Sequence, residues 1–313
     1  MFAVVALVLL ACGADAQNGR TGEPPDASPQ SRTAAPVAPL KFDSNRAWMH
    51  LERQVAFGPR PAGSPALAQT RQYIEMQLKA VNVPFREQTF DAMTPAGTIR
   101  MTNVIATIPG RRPERIVIAT HYDTKRFAEF AFLGASDGAS STAAVLELAR
   151  LLTNRRNEFT LELLFLDGEE AVNTEWRDPD NTYGSKYYVK AAREAGSLGG
   201  LKALILLDMI GDRDLDIRPD SNSASWLNAI VWGSAARLGY SSTFIPVPFT
   251  VEDDHLPFVE AGVAAIDIID LDYPQWHTAQ DDLEHVSARS LQTVGDVVLD
   301  ALPEIEKQLA APR

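Results

Sequence analysis

The sequence predicts an α/β fold: a single domain whose central mixed, mostly parallel sheet is covered by helices on both faces. Three observations carry this. Short, nearly continuous apolar runs such as "FTLELLFL" (159–166) and "LKALILLDMI" (201–210) read as strands buried on both sides. Longer stretches with apolar residues at helical spacing alternate with them. Ionisable residues gather directly after the apolar runs, where open α/β sheets bind their ligands.

The elements follow in order. "SNRAWMHLERQVAF" (44–57) and "SPALAQTRQYIEMQLKAV" (64–81) are helical, with Pro65 suited to a first helical position, and the Gly/Pro loop "FGPRPAGSP" separates them. "VPFREQTF" (83–90), "MTNVIATI" (101–108) and "RIVIAT" (115–120) read as strands, and "SDGASSTAAVLELARLLT" (136–153) as a helix. After the strand at 159–166 come a helix at 184–195, the strand at 201–210, a helix at 222–239, the strand "VAAIDII" (263–269) and a closing helix at 288–309.

Not all 313 residues belong to this domain. Residues 1–16, "MFAVVALVLLACGADA", form an apolar leader with small residues at Ala14 and Ala16, the pattern of a signal peptide. It is too short for a good transmembrane span. Cleavage before Cys12 would instead leave a lipid-anchored protein. The mature chain is therefore expected to be exported, periplasmic or secreted. The Pro/Ser/Ala-rich stretch 17–40 reads as a flexible linker, leaving 41–313 as the folded domain. Cys12 is the only cysteine, so no thiolate chemistry is available beyond the leader. A net charge of −12, without a basic stripe, argues against nucleic acid as a partner. A monomer is expected.

The stretch "LELLFLDGEEAV" leaves a buried strand and places Glu169 and Glu170 side by side. A solvated strand exit would explain them alone. Yet His121 ends the strand before "YD", Asp137 opens a helix in "GASDGAS", Asp208 ends "ALILLD" and His277 lies in "YPQWHTAQDD" after the last strand. Each has an ordinary reading, as a cap, turn or surface residue. Together they deliver carboxylates and imidazoles to one sheet edge, a ligand set suited to zinc at a catalytic site. Burying so many acids without a cation would cost heavily. Adjacent glutamates diverge, so one can hold a metal while its neighbour faces substrate.

The residues "HYD", "SDGAS", "DGEE", "LLD" and "WHT" resemble the zinc-exopeptidase superfamily that holds the M28 aminopeptidases and the glutaminyl-peptide cyclotransferases. "HYDTKRF", "GEEAVNTEWRDPDNTYGSKYY", "LLDMIGD" and "EDDHLPF" are similar to the cyclotransferases in particular. That resemblance implies one zinc on Asp137, Glu170 and His277, an acid/base Glu169, and hydrogen-bonding aspartates at Asp208 and Asp253. It implies a small pocket walled by Trp276 and Trp176, with Asp267 where animal enzymes carry a pocket histidine. The substrate would be peptide or protein N-termini. The M28 aminopeptidase reading stays open: two zinc ions would add His121 and Asp208 as ligands. A non-catalytic descendant is disfavoured, since neither Glu169 nor a ligand is missing. Trp226, Trp232, His50 and His285 read as packing or surface residues, and His255 is open between packing beneath Asp253 and touching substrate. Lys125 and Arg126 read as loop charges or as ion-pair partners of an acid.

Overall fold

A computed structural model describes residues 40–173 and 175–311; the expected leader and all of the linker except Leu40 lie outside them. Six strands form one sheet in the order β1-β2-β4-β3-β5-β6. They are β1 (Phe85–Thr94), β2 (Gly97–Ile108), β3 (Arg112–His121), β4 (Phe159–Leu166), β5 (Leu201–Asp208) and β6 (Ala264–Ile269). β3 runs parallel to β4 and β5, and β5 parallel to β6, whereas β2 is antiparallel to both β1 and β4. The sheet is thus mixed, with its parallel part at the site. β1 and β2 run further toward each other than the apolar pattern indicates, because their hairpin end is polar and solvent-facing.

Strand alternation divides the core cleanly. Val104, Ile116, Ile118, Leu163, Phe165, Ile205, Leu207, Ile266 and Ile268 face the larger layer, built from α1 (Ser44–Val55), α2 (Pro65–Ala80), α3 (Ser141–Leu152), α5 (Ser225–Leu238) and α7 (Ala288–Ala310). Ile105, Val117, Ala119, Leu164, Leu204 and Leu206 face the opposite layer, with α4 (Tyr183–Glu194) and α6 (Leu256–Glu260). This is the period-2 rule acting on strands buried from both sides. Each fully buried Leu or Phe there contributes roughly 2 kcal/mol relative to exposure.

The helix starts follow their caps. Asp43 accepts from the amides of Asn45 and Arg46, and Ser64 Oγ from Leu67 with Pro65 at the first position. α6 is too short for a periodic signal, and the sequence reading passes over it. The helix expected from residue 136 begins only at Ser141. A wide turn, Ala135–Ser140, precedes it, with Asp137 extended (φ −80°, ψ 103°) and Gly138 at φ 86°. Among the described residues no helix is long and apolar enough to cross a membrane.

Candidate active site

The parallel strands end together. β3 stops at His121 and β5 at Asp208, β4 leads through Asp167 and Gly168 into Glu169 and Glu170, and the wide turn brings in Asp137. The loop after β6 returns with Trp276 and His277. These side chains, with Asp253 from the loop before α6, line a cavity of about 410 Å³; His121 lies just beneath it and does not line it. Trp176, Ile269 and Leu271 form part of its apolar wall.

Asp137, Glu170 and His277 offer ligand atoms that lie within 4.8 Å of one another. His277 Nε2 is 3.4 Å from both Asp137 Oδ2 and Glu170 Oε1. Donors bound to a tetrahedral zinc at its usual bond length stand roughly 3.3–3.4 Å apart. Glu170 Oε1 is buried and has no hydrogen-bond partner. Donor type, spacing and the orphaned oxygen all fit a zinc ion. His121, Asp137 and Asp208 form a second group within the same 4.8 Å limit. There, however, His121 Nε2 and Asp208 Oδ1 are joined by a direct 2.9 Å hydrogen bond, and Asp137 Oδ1 lies 3.3 Å from the same nitrogen.

Burial shapes the charges. It pushes Glu169 well above the usual carboxylate range, against the attraction of His121 and with repulsion from Glu170 and Asp253. Burial, reinforced by Asp208, raises Asp253 to about 7. Glu170 is raised by burial and by Asp137. Asp137 goes the other way: burial opposes its charge, but the imidazoles of His121 and His277, 3.3 and 3.4 Å away, hold it well below the usual range. His277 rises to about 10, because Asp137 and Glu170 outweigh the effect of its burial. A field that holds a proton so firmly also favours a cation.

Local contacts explain the placement. Asp123 is fully buried, and its carboxylate accepts from the amides of Glu169 (3.2 Å) and Glu170 (3.4 Å), so it organises the glutamate turn. In the sequence Asp123 stands out only as the acid two residues after His121, and nothing there assigns it this role. His277 takes a positive φ of 54° and is stacked by Trp276 at 4.3 Å. Phe127 and Phe132 meet its ring edge-on, both at 5.7 Å. Phe127 closes the "HYDTKRF" motif without a role of its own there, and Phe132 goes unnoticed, although "FAEFAF" is an apolar signal in a loop. Lys125 is buried and paired: Nζ donates to the Ala171 carbonyl and lies 3.7 Å from Glu170 Oε2.

One expected pocket residue is displaced. Asp267 does not line the cavity; it is fully buried behind it, its Oδ2 3.6 Å from His255 Nδ1. Alternation along β6 puts Asp267 on the same face as Ala265, toward the α6 layer rather than past the sheet edge. His255 is likewise buried, with Nε2 3.1 Å from Asp220 Oδ2. Trp226 and Trp232 pack against the larger core, His50 accepts or donates at Tyr73 OH (2.7 Å), and His285 pairs with Asp282.

Comparison with known proteins adds a second line of evidence. The model of peptidase family M28 matches residues 103–302. A glutaminyl-peptide cyclotransferase of Boiga irregularis is 30% identical over 296 residues, covering 81% of this chain and 79% of its own. The crystal structure of an Acidobacteriales bacterium glutaminyl cyclase superposes with a TM-score of 0.84 at 36% identity, covering 89% of this chain and 99% of that one. A leucine aminopeptidase precursor from Bacteroides thetaiotaomicron reaches a TM-score of 0.77 at 29% identity, covering 84% and 97%.

Proposed function

Because the chain belongs to peptidase family M28, and within it to the glutaminyl-peptide cyclotransferases, we propose that it converts the N-terminal glutamine of peptides to pyroglutamate with release of ammonia. The observation that carries the reading is the 30% identity to a glutaminyl-peptide cyclotransferase over 81% of this chain, joined to a ligand triad that faces the same cavity as Glu169.

In this proposal Asp137, Glu170 and His277 hold one zinc, which supplies Lewis-acid polarisation of the substrate's side-chain carbonyl when bound. Glu169 is not in the triad and faces the same cavity. It takes the proton from the α-amine as that nitrogen bonds to the side-chain carbonyl carbon. It returns a proton to the amide nitrogen as the carbon–nitrogen bond breaks and ammonia leaves. Burial suits Glu169 to both halves, since a raised pKa makes it a stronger base and a competent acid. The attack is intramolecular, so the pocket's main task is to fold one glutamine side chain and exclude water. Trp276 and Trp176 wall it, and Asp208 and Asp253 hydrogen-bond the amine and the departing nitrogen. Export through the leader at 1–16, or anchoring through Cys12, belongs to the same proposal and is tested by the mass of the mature N-terminus.

A two-zinc aminopeptidase is the second reading, favoured by the second group of ligand atoms at His121, Asp137 and Asp208. One experiment separates them. Zinc-loaded protein is offered Gln-2-naphthylamide and Leu-4-nitroanilide, and pyroglutamyl product, ammonia and free amine are measured. Ring closure with one ammonia per turnover supports the cyclotransferase; rapid leucine release without pyroglutamate moves the assignment to the aminopeptidase.

A further inference from the structure

The turn that carries Asp137 is gripped from both sides by buried, oppositely charged groups that the proposed chemistry leaves unused. On one side, Asp281 Oδ1 accepts from the Ser136 amide at 2.7 Å and Oδ2 from the Asp137 amide at 3.1 Å. Tyr273 OH also donates to Oδ1, at 3.0 Å, and the Ala135 amide donates to the Asp281 backbone carbonyl at 3.3 Å. On the other side, Arg60 donates from Nη1 to the Leu133 carbonyl at 2.7 Å and from Nη2 to the Gly134 carbonyl at 3.0 Å. Asp281 and Arg60 are both fully buried, and neither lines the catalytic cavity.

The backbone explains why such groups are needed. Asp137 is extended and Gly138 has a positive φ, so this segment departs from helical geometry just where two consecutive amides are buried. Amides left unpaired there would each carry a desolvation cost. A carboxylate that accepts from both at once makes charge-assisted bonds to a fixed backbone geometry. Asp281 also belongs to the loop that carries His277, which closes on itself through the Asp281 amide and the Thr278 carbonyl at 3.3 Å. One side chain therefore ties together two loops, each of which brings a separate ligand.

We propose that Asp281 is a positioning residue that acts through Asp137, fixing the spacing between Asp137 and His277 and so the fit of the metal ion, with Arg60 bracing the far side of the turn. The inference rests on the zinc reading above and deepens it. The motif "WHTAQDD" contains two candidate aspartates. Geometry separates them: Asp281 reaches the Asp137 turn, while Asp282 bonds the nearby His285.

The test compares wild type, Asp281→Asn and Tyr273→Phe as full chains. Zinc affinity is measured by competition with a chromogenic chelator, unfolding by denaturant in excess chelator, and kcat and KM at saturating zinc. Asp281→Asn keeps the size of the side chain but turns an amide N–H toward one of its donors. Its zinc affinity is expected to fall by about 10–100-fold, with much of kcat regained when zinc is saturating. Tyr273→Phe removes one hydrogen bond to the carboxylate and is expected to shift zinc affinity in the same direction by less. Folded Asp281→Asn with wild-type zinc affinity overturns the inference, whatever its unfolding midpoint. If Asp281→Asn does not fold, Tyr273→Phe decides, and unchanged zinc affinity in that variant overturns it. A wild type that takes up no zinc overturns the metal reading itself and this inference with it, whereas equal affinities overturn the inference alone.

Discussion

Gly138 sits beside Asp137, a proposed zinc ligand, and its replacement by alanine is expected to unfold the site from within. Its φ of 86° is a conformation that side chains disfavour. A Cβ built there would lie 2.6 Å from the Asp123 carbonyl oxygen and 3.1 Å from His121 Cε1. The first effect costs about 1–2 kcal/mol. The second is overpacking against backbone that cannot rotate away, typically about 1–3 kcal/mol. Together they give roughly 2–5 kcal/mol. Gly239 supplies the control, because it has a φ of 83° but nothing within 4 Å of a built Cβ. Gly239→Ala should therefore show only the conformational part. Guanidinium unfolding in chelator, which removes any metal contribution, measures both. Activity should fall further than stability alone requires, since displacing Asp123 disturbs the amides of Glu169 and Glu170. If Gly138→Ala is no less stable than Gly239→Ala, the close approach described here is not real.

Three further outcomes are expected. Chelation should lower Tm by about 10 °C, since zinc at a thousand times its Kd adds about 4 kcal/mol to a domain of this size; calorimetry showing no shift contradicts a metal bound only by the folded state. Trp276→Ala should raise KM about tenfold with little change in kcat, if the half-exposed indole that lines the cavity meets substrate and transition state alike as proposed; a fall in kcat at constant KM would place its role in stacking His277 instead. Burial, aided by Arg46, lowers the His50 pKa to about 4, from an ordinary value near 6.5. Below pH 6.5 the unfolded chain therefore binds a proton that the folded chain refuses, and stability declines as pH falls from about 6.5 to 4, by up to about 3 kcal/mol. Unfolding curves of His50→Gln across that window should lack this component; parallel pH profiles in the two proteins contradict it.

Much of this architecture is legible in the sequence because the governing pattern is local. β4 and β5 are buried from both sides and read as unbroken apolar runs, and the residues that follow them emerge at one edge. His121, Asp137, Glu169, Glu170, Asp208 and His277 thus group together on the sequence pattern alone. What escaped depends on contacts between distant segments. Asp281 and Arg60 look like ordinary loop charges until the Asp137 turn is seen between them. The resemblance implies Asp267 in the pocket, but strand alternation turns it toward the α6 layer beside His255. α6 offers too few residues for a periodic signal, and the wide turn at Ala135–Ser140 is concealed by small residues that suit a helix equally well.

The central claim is that Glu169 moves the proton while Asp137, Glu170 and His277 hold the metal. Glu169→Gln tests it most directly when ring closure and bound zinc are measured on the same sample. One zinc per chain is expected in both proteins, with kcat for pyroglutamate formation reduced about 10²–10⁴-fold in the variant. A variant that keeps its zinc and still cyclises at the wild-type rate would contradict it.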